Sequence, residues 1–214
     1  MTTLLFSHPS CIEHDPGEYH PERPDRLRAV MDGLDDDAFK HLKRLEAPIV
    51  DLKHVKQVHD AGYVDMMMDS VPSDGRVRLD PDTVMSASSG EAAQRAAGAA
   101  VAAVDAVVDG QARNAFCAVR PPGHHAESSK AMGFCLFNSA AVAAFHARAT
   151  HQMDRVCVID FDVHHGNGTQ HSFEHIDGLF YGSSHQWPAY PGTGAVAESG
   201  DFNNVCNVPL APGT

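Results

Sequence analysis

Short runs of β-branched and aromatic residues alternate along the chain with longer segments whose apolar positions recur every three or four residues. Leu4–Phe6, Ala115–Val119, Arg155–Phe161, Leu179–Gly182 and Asn204–Val208 are close to continuously apolar, which is the pattern of buried strands. Helices are expected between them. Ser88 followed by Glu91 has capping-box spacing, and the helix it opens would carry Val101, Val104 and Val108 on one face and stop at Gly110. A second helix starts at Pro24 and repeats Leu27, Val30, Met31 and Leu34, and a third is capped by Asn138 and turns Val142 and Phe145 inward. This alternation predicts an α/β fold, a mainly parallel sheet covered by helices on both faces. In such folds ligands bind beyond the carboxyl ends of the strands.

The 214 residues suit one domain spanning the whole chain, with no internal repeat and no low-complexity linker. Val71–Asp82, with its Pro, Gly and Asp content, is expected to be an exposed loop. Val208–Thr214 leaves a strand and no helix follows it, so the domain is expected to be incomplete at its C-terminal end.

Hydrophobic residues at 43% and charged residues at 21% exclude a disordered chain, a fibre or a coiled coil. The net charge of −12, with no run of Lys or Arg, argues against nucleic acid and anionic membranes as partners. Ala92–Val108 is apolar but interrupted by Arg95 and Asp105, too polar to span a bilayer. Met1–Ser10 lacks the pattern of a secretory signal, which makes the cytoplasm the expected compartment. Cys11, Cys117, Cys135, Cys157 and Cys206 have no CxxC spacing. Three of them, Cys117, Cys157 and Cys206, lie in apolar runs, and the set is expected to be reduced core thiols. The 15 His are concentrated in loops that also hold Asp and Gly, which points to metal or acid–base chemistry.

Two segments carry that chemistry. In Asp160-Phe-Asp162-Val-His164-His165-Gly-Asn167 a buried strand runs into a polar loop, and residues two apart on a strand share a face. Asp160, Asp162 and His164 would then converge, and a divalent cation would offset their mutual repulsion. The alternative is that the acids cap the next helix and His165 is a solvated loop residue. In Val119-Arg-Pro-Pro-Gly123-His124-His125 two prolines and a glycine present adjacent imidazoles on a stiff loop after another apolar strand. Taken alone, such a pair is more often surface-exposed than catalytic. If the strands are parallel, both loops meet at one sheet edge.

Together with Gly133-Phe-Cys-Leu-Phe-Asn138, Tyr190-Pro-Gly-Thr-Gly194 and His20-Pro-Glu-Arg-Pro24, these blocks resemble the zinc-dependent histone deacetylase family, in order and across nearly the whole chain. Asn167 and the Gly-Thr-Gln after it are similar to the class II branch and to bacterial relatives, including acetylpolyamine amidohydrolases. The resemblance implies a three-layer arginase/deacetylase-like fold, here its amino-terminal part. It implies zinc held by Asp162 and His164, with a third ligand Asp and a carbonyl-polarising Tyr beyond Thr214. It implies His125 as proton shuttle, His124 as its electrostatic partner, Asp160 orienting His124, and Asn167 beside His125. Phe134 and Tyr190 would wall an acyl-lysine channel with Gly133 beside it, although core packing is the alternative for both aromatics. Asp82 would meet the substrate backbone. Asp160, Asp162, His164, Ser183 and Ser184 would hold a structural potassium ion.

The activity implied is hydrolysis of an N-acetyl amide, releasing acetate from acetylated lysine or a related acetylated amine. An acetylpolyamine or other small-amide hydrolase is the rival within enzymes. A non-catalytic acyl-lysine or protein-binding module is the rival from another class.

Overall fold

A computed structural model describes residues 2–214. Strand β1 (Thr3–Ser7) buries Leu4, Leu5 and Phe6 in succession because it lies between two parallel neighbours, β2 (Lys43–Glu46) and β5 (Asn114–Cys117). A second parallel sheet has the order β6 (Val156–Asp160), β7 (Leu179–Gln186), β8 (Val205–Leu210). The long helix α5 (Ser89–Val108) packs on β1 and β5, and α6 (Ser139–His151) packs on α5 and on β6. These paired helices link the two sheets, and the loop that follows β5 meets the end of β6, where His124 reaches Asp160.

Around this frame lie α1 (Pro9–Glu13), α2 (Pro24–Gly33), α3 (Leu52–Val55), α4 (Ala61–Asp69) and α7 (Asn167–Phe173). The largest core cluster joins Val64 and Met67 of α4 to Ala93 and Ala97 of α5 and Val142 of α6. Gly98 sits in mid-helix against propensity because the chain crosses it closely. A Cβ there would lie 1.9 Å from the Pro48 carbonyl oxygen.

Several expectations are corrected. Part of the expected loop Val71–Asp82 forms a strand, β3 (Arg76–Arg78), antiparallel to β4 (Val84–Ser86). Strand β2 was illegible because Lys43-Arg-Leu-Glu46 has no apolar pattern and relies on the β1 ladder. The long helix stops at Gly110, where φ is +73°, but Ser88 makes no side-chain cap. Ser88 already has helical backbone angles, and Glu91 bonds Arg95 instead of reaching back. Asn138 does cap α6, accepting from the Ala141 amide at 3.1 Å.

Helices cover the second sheet on one face only. Cys157, Ile159, Phe180, Cys206 and Val208 stand on the other face in register and are exposed. Cys157 and Cys206 are therefore free surface thiols, whereas Cys11 and Cys135 are buried and Cys117 is half-buried. Val30 and Val108, which the helical spacing places with the apolar positions of their helices, are also exposed. No helix among the described residues is long and apolar enough to cross a membrane.

Candidate active site and metal-binding residues

The loop after β5 is anchored before it reaches the two imidazoles. Arg120 is buried, with Nε and Nη2 donating to the Glu22 carboxylate at 2.5 and 2.6 Å. Its Nη1 donates to the carbonyls of Cys11 and His14 at 2.7 and 3.0 Å. Burial opposes ionisation of Glu22, but hydrogen bonds from His14 and Arg120 and the Arg120 charge hold its carboxyl below the usual range. Gly123 then passes so close to α6 that a Cβ would lie 2.7 Å from the Phe137 carbonyl oxygen.

The two histidines that follow are each fixed through Nδ1. His124 Nδ1 lies 2.8 Å from Asp160 Oδ2, which also accepts from the Tyr181 hydroxyl at 3.0 Å. The other Asp160 oxygen accepts the Asp162 amide at 3.0 Å. Burial raises the Asp160 carboxyl, yet the His124 bond and charge bring it below its ordinary value, so it is ionised at neutral pH. His125 Nδ1 lies 2.8 Å from Asn167 Oδ1 at the first residue of α7. The Asn167 amide nitrogen donates to the His125 carbonyl at 3.2 Å and to the Glu127 carboxylate, which fixes which way the Asn167 side chain points. His125 is only 3% exposed, and burial, followed by the neighbouring His124, pulls its pKa down to about 4.

The two rings are 4.0 Å apart between centroids. His164, in the loop that follows β6, stands 6.0 Å from His125 between ring centroids. Asp162 Oδ1 accepts the His164 amide at 2.9 Å and lies 3.5 Å from His164 Nδ1, and both side chains remain substantially exposed. Oxygen and imidazole nitrogen are the donor types that zinc takes. Among the described residues no third His, Cys, Asp or Glu ligand atom joins this pair within 4.8 Å.

Tyr190 closes one side, its ring edge-on to His125 at 5.0 Å and to His164 at 6.0 Å. Gly133 closes another: φ is +56°, and a Cβ there would come 2.3 Å from His125 Cδ2. Asp82 Oδ1 accepts the Gly133 amide at 3.2 Å and the Thr83 hydroxyl at 3.0 Å, so it positions this turn. Phe134, at φ +69°, donates its amide to Thr83 and stacks edge-on to His20 at 4.7 Å. Ser183 lies opposite Asp160 in the β6–β7 register, with its hydroxyl on His185 Nδ1 at 2.9 Å. Ser184, the next residue, directs its side chain to the other face of the strand.

The residues singled out in the sequence thus gather around the ends of β5 and β6. Those missed are their supports: Glu22, Tyr181 and Glu127, which hold Arg120, Asp160 and Asn167. Glu22 and Arg120 lie within the motif blocks, but nothing local reveals a pairing across 98 positions.

Residues 20–214 match the sequence model of the histone deacetylase domain. The chain belongs to the histone deacetylase family. A probable deacetylase of Archaeoglobus fulgidus is 35% identical over 220 residues, covering 100% of this chain and 60% of that protein. A histone deacetylase-like amidohydrolase of Pseudomonas aeruginosa is 38% identical over 199 residues, covering 91% of this chain and 52% of that protein. The crystal structure of the HDA15 HD domain matches this chain with a TM-score of 0.91 at 35% identity, over 99% of this chain and 62% of that one. The mainly parallel α/β architecture is therefore that of the histone deacetylase domain, and the chain spans 52–62% of these relatives' length.

Proposed function

We propose that this chain contributes the twin-histidine half of a zinc-dependent amidohydrolase that removes acetyl groups from acetylated lysine or a related acetylated amine and releases acetate. One observation carries the reading: two imidazoles 4.0 Å apart, each tied at Nδ1, stand beside Asp162 and His164 at the next strand end.

Asp162 and His164 are the residues that would hold the metal, and their oxygen and nitrogen donors fit zinc. Zinc, when bound with a position open, supplies an acidified water, its pKa lowered from 15.7 to roughly 7, and polarises the amide carbonyl. The chain's own residues handle the protons. His125 is neutral at pH 7 and its Nδ1 is occupied by Asn167, which leaves Nε2 to accept a proton and pass it to the departing amine. His124, paired with ionised Asp160, is the partner that favours positive charge next to the reacting centre. Gly133, Phe134 and Tyr190 would flank the methylene chain, and Asp82 would meet the substrate backbone through the oxygen opposite its Gly133 contact. A potassium ion among Asp160, Asp162, His164, Ser183 and Ser184 would offset the two carboxylates, a role the Asp160–Ser183 register supports.

Acetate release from an acetyl-lysine peptide by the zinc-loaded protein tests the reading. Activity that disappears in His125→Ala supports it, and activity that survives that change contradicts it. Acetylated polyamines assayed in parallel decide between the two amide classes. The reading from another class is a non-catalytic acyl-lysine or protein-binding module. Tight zinc and acetyl-peptide binding with no acetate from the natural full-length protein would select it.

A further inference from the structure

Away from the strand ends, three ligand-type side chains converge between helices α5 and α6. Asp105 Oδ1 lies 2.6 Å from His146 Nε2 and 2.7 Å from His151 Nε2, so a single carboxylate oxygen faces two imidazole nitrogens. Among the described residues this is the one group whose three such atoms all fall within 4.8 Å of one another. The helices set this up. His146 and His151 occupy the last turns of α6, and Asp105 faces them from the last turn of α5.

A second observation concerns the far side of the His146 ring. Its Nδ1 lies 3.1 Å from Thr150 Oγ1 and 3.3 Å from His54 Nδ1, and the His54 ring packs edge-on at 4.7 Å. A metal-bound imidazole donates its other ring N–H to an oriented acceptor, which fixes the tautomer that leaves Nε2 bare. His146 has two such acceptors. The exposure is also graded as an exchangeable site requires: His146 is 4% exposed, His151 15% and Asp105 43%.

We propose that Asp105, His146 and His151 form a second divalent-cation site, selective for zinc, that staples α5 to α6 and is independent of the pair at Asp162 and His164. The ion would replace the Nε2 protons that now face the carboxylate oxygen, with water as the fourth ligand at the exposed side of Asp105. Bonds of about 2.0 Å at tetrahedral angles put ligand atoms roughly 3.3 Å apart. The present 2.6 and 2.7 Å contacts reach that separation by a small rotation of Asp105, whose side chain is half in solvent. Two His and one Asp on two helices make an N/O donor set of the kind zinc prefers over magnesium or calcium.

The test uses the full chain in an Asp162→Asn background, so that the strand-end pair does not contribute its carboxylate. Metal-free protein is titrated with zinc by calorimetry, and Tm is read with and without zinc. The Asp162→Asn protein is expected to bind one equivalent and to gain Tm. Adding His151→Gln, at the last residue of α6, should weaken that binding at least about a hundredfold and abolish the zinc-dependent gain in Tm. Adding Asp105→Asn should do the same. Cobalt in place of zinc should give visible d–d bands in Asp162→Asn that His151→Gln removes. Zinc uptake by Asp162→Asn that is unchanged by His151→Gln and Asp105→Asn, or no uptake at all by Asp162→Asn, overturns the proposal.

Discussion

Single atoms decide the geometry of the candidate site. Gly133→Ala would drive a methyl into the His125 ring, 2.3 Å from Cδ2, at a positive φ that already disfavours a side chain. Displacement of the His125 ring signals in NMR spectra and a loss of acetyl-peptide hydrolysis are expected, with little loss of overall fold. Asn167→Asp places a carboxylate on His125 Nδ1, where an amide oxygen now sits at 2.8 Å. A carboxylate favours imidazolium, so the His125 pKa should rise from about 4 by about one to three units in an NMR titration. An unmoved titration contradicts the contact between residue 167 and His125 Nδ1. Glu22→Ala strands Arg120 in the core, and a loss of about 3–5 kcal/mol in urea unfolding is expected from breaking a buried pair. At this scale the chemistry-bearing residues were legible, because Asp-x-Asp-x-His and the His pair follow apolar strands. Glu22, Tyr181 and Glu127 were not, since their roles depend on partners that only the fold brings near.

Among the elements, those whose pattern is intrinsic were legible and those that borrow stability from neighbours were not. Strands β1, β5, β6, β7 and β8 and helices α2, α5 and α6 follow from apolar runs and helical spacing. Strand β2 is charged and forms because β1 offers it a ladder, and β3 pairs with β4 inside what composition marked as loop. The cysteine expectation failed for a related reason. An apolar strand is read as buried on both faces, but β6–β8 bury one, leaving Cys157 and Cys206 outside. Both thiols are expected to react promptly with a disulfide reagent in native protein. Cys11 and Cys135 should react only after unfolding, and Cys157→Ser with Cys206→Ser should remove the fast phase.

The whole molecule carries its buried charges and neutral imidazoles as one pH-dependent system. His125 and His165 are each pulled down to about 4, in both cases by burial first and then by a neighbouring histidine. A histidine with a depressed folded pKa is protonated more readily when unfolded, so stability is full above about pH 6.5 and falls as pH drops toward 4. The cited depressions amount to about 3 kcal/mol per ring. Glu22 and Asp160, with lowered carboxyl values, lose their contribution in the same direction further down the scale. Urea midpoints should therefore decline steadily from pH 7 to pH 4, and a flat profile would contradict the burial of these two rings. The α/β class and the meeting of the two loops were legible at this scale because parallel strands put successive carboxyl ends on one edge. The open face of the second sheet was not, because apolar runs do not reveal which helices cover them.

The most direct measurement of the central claim is acetate release from an acetyl-lysine peptide by zinc-loaded protein, with and without chelator, compared with Asp162→Ala. Release that depends on zinc and falls at least about a hundredfold in Asp162→Ala is the expected result. Turnover unaffected by the chelator, or retained in Asp162→Ala, would show that the strand-end pair is not where the twin histidines do their chemistry.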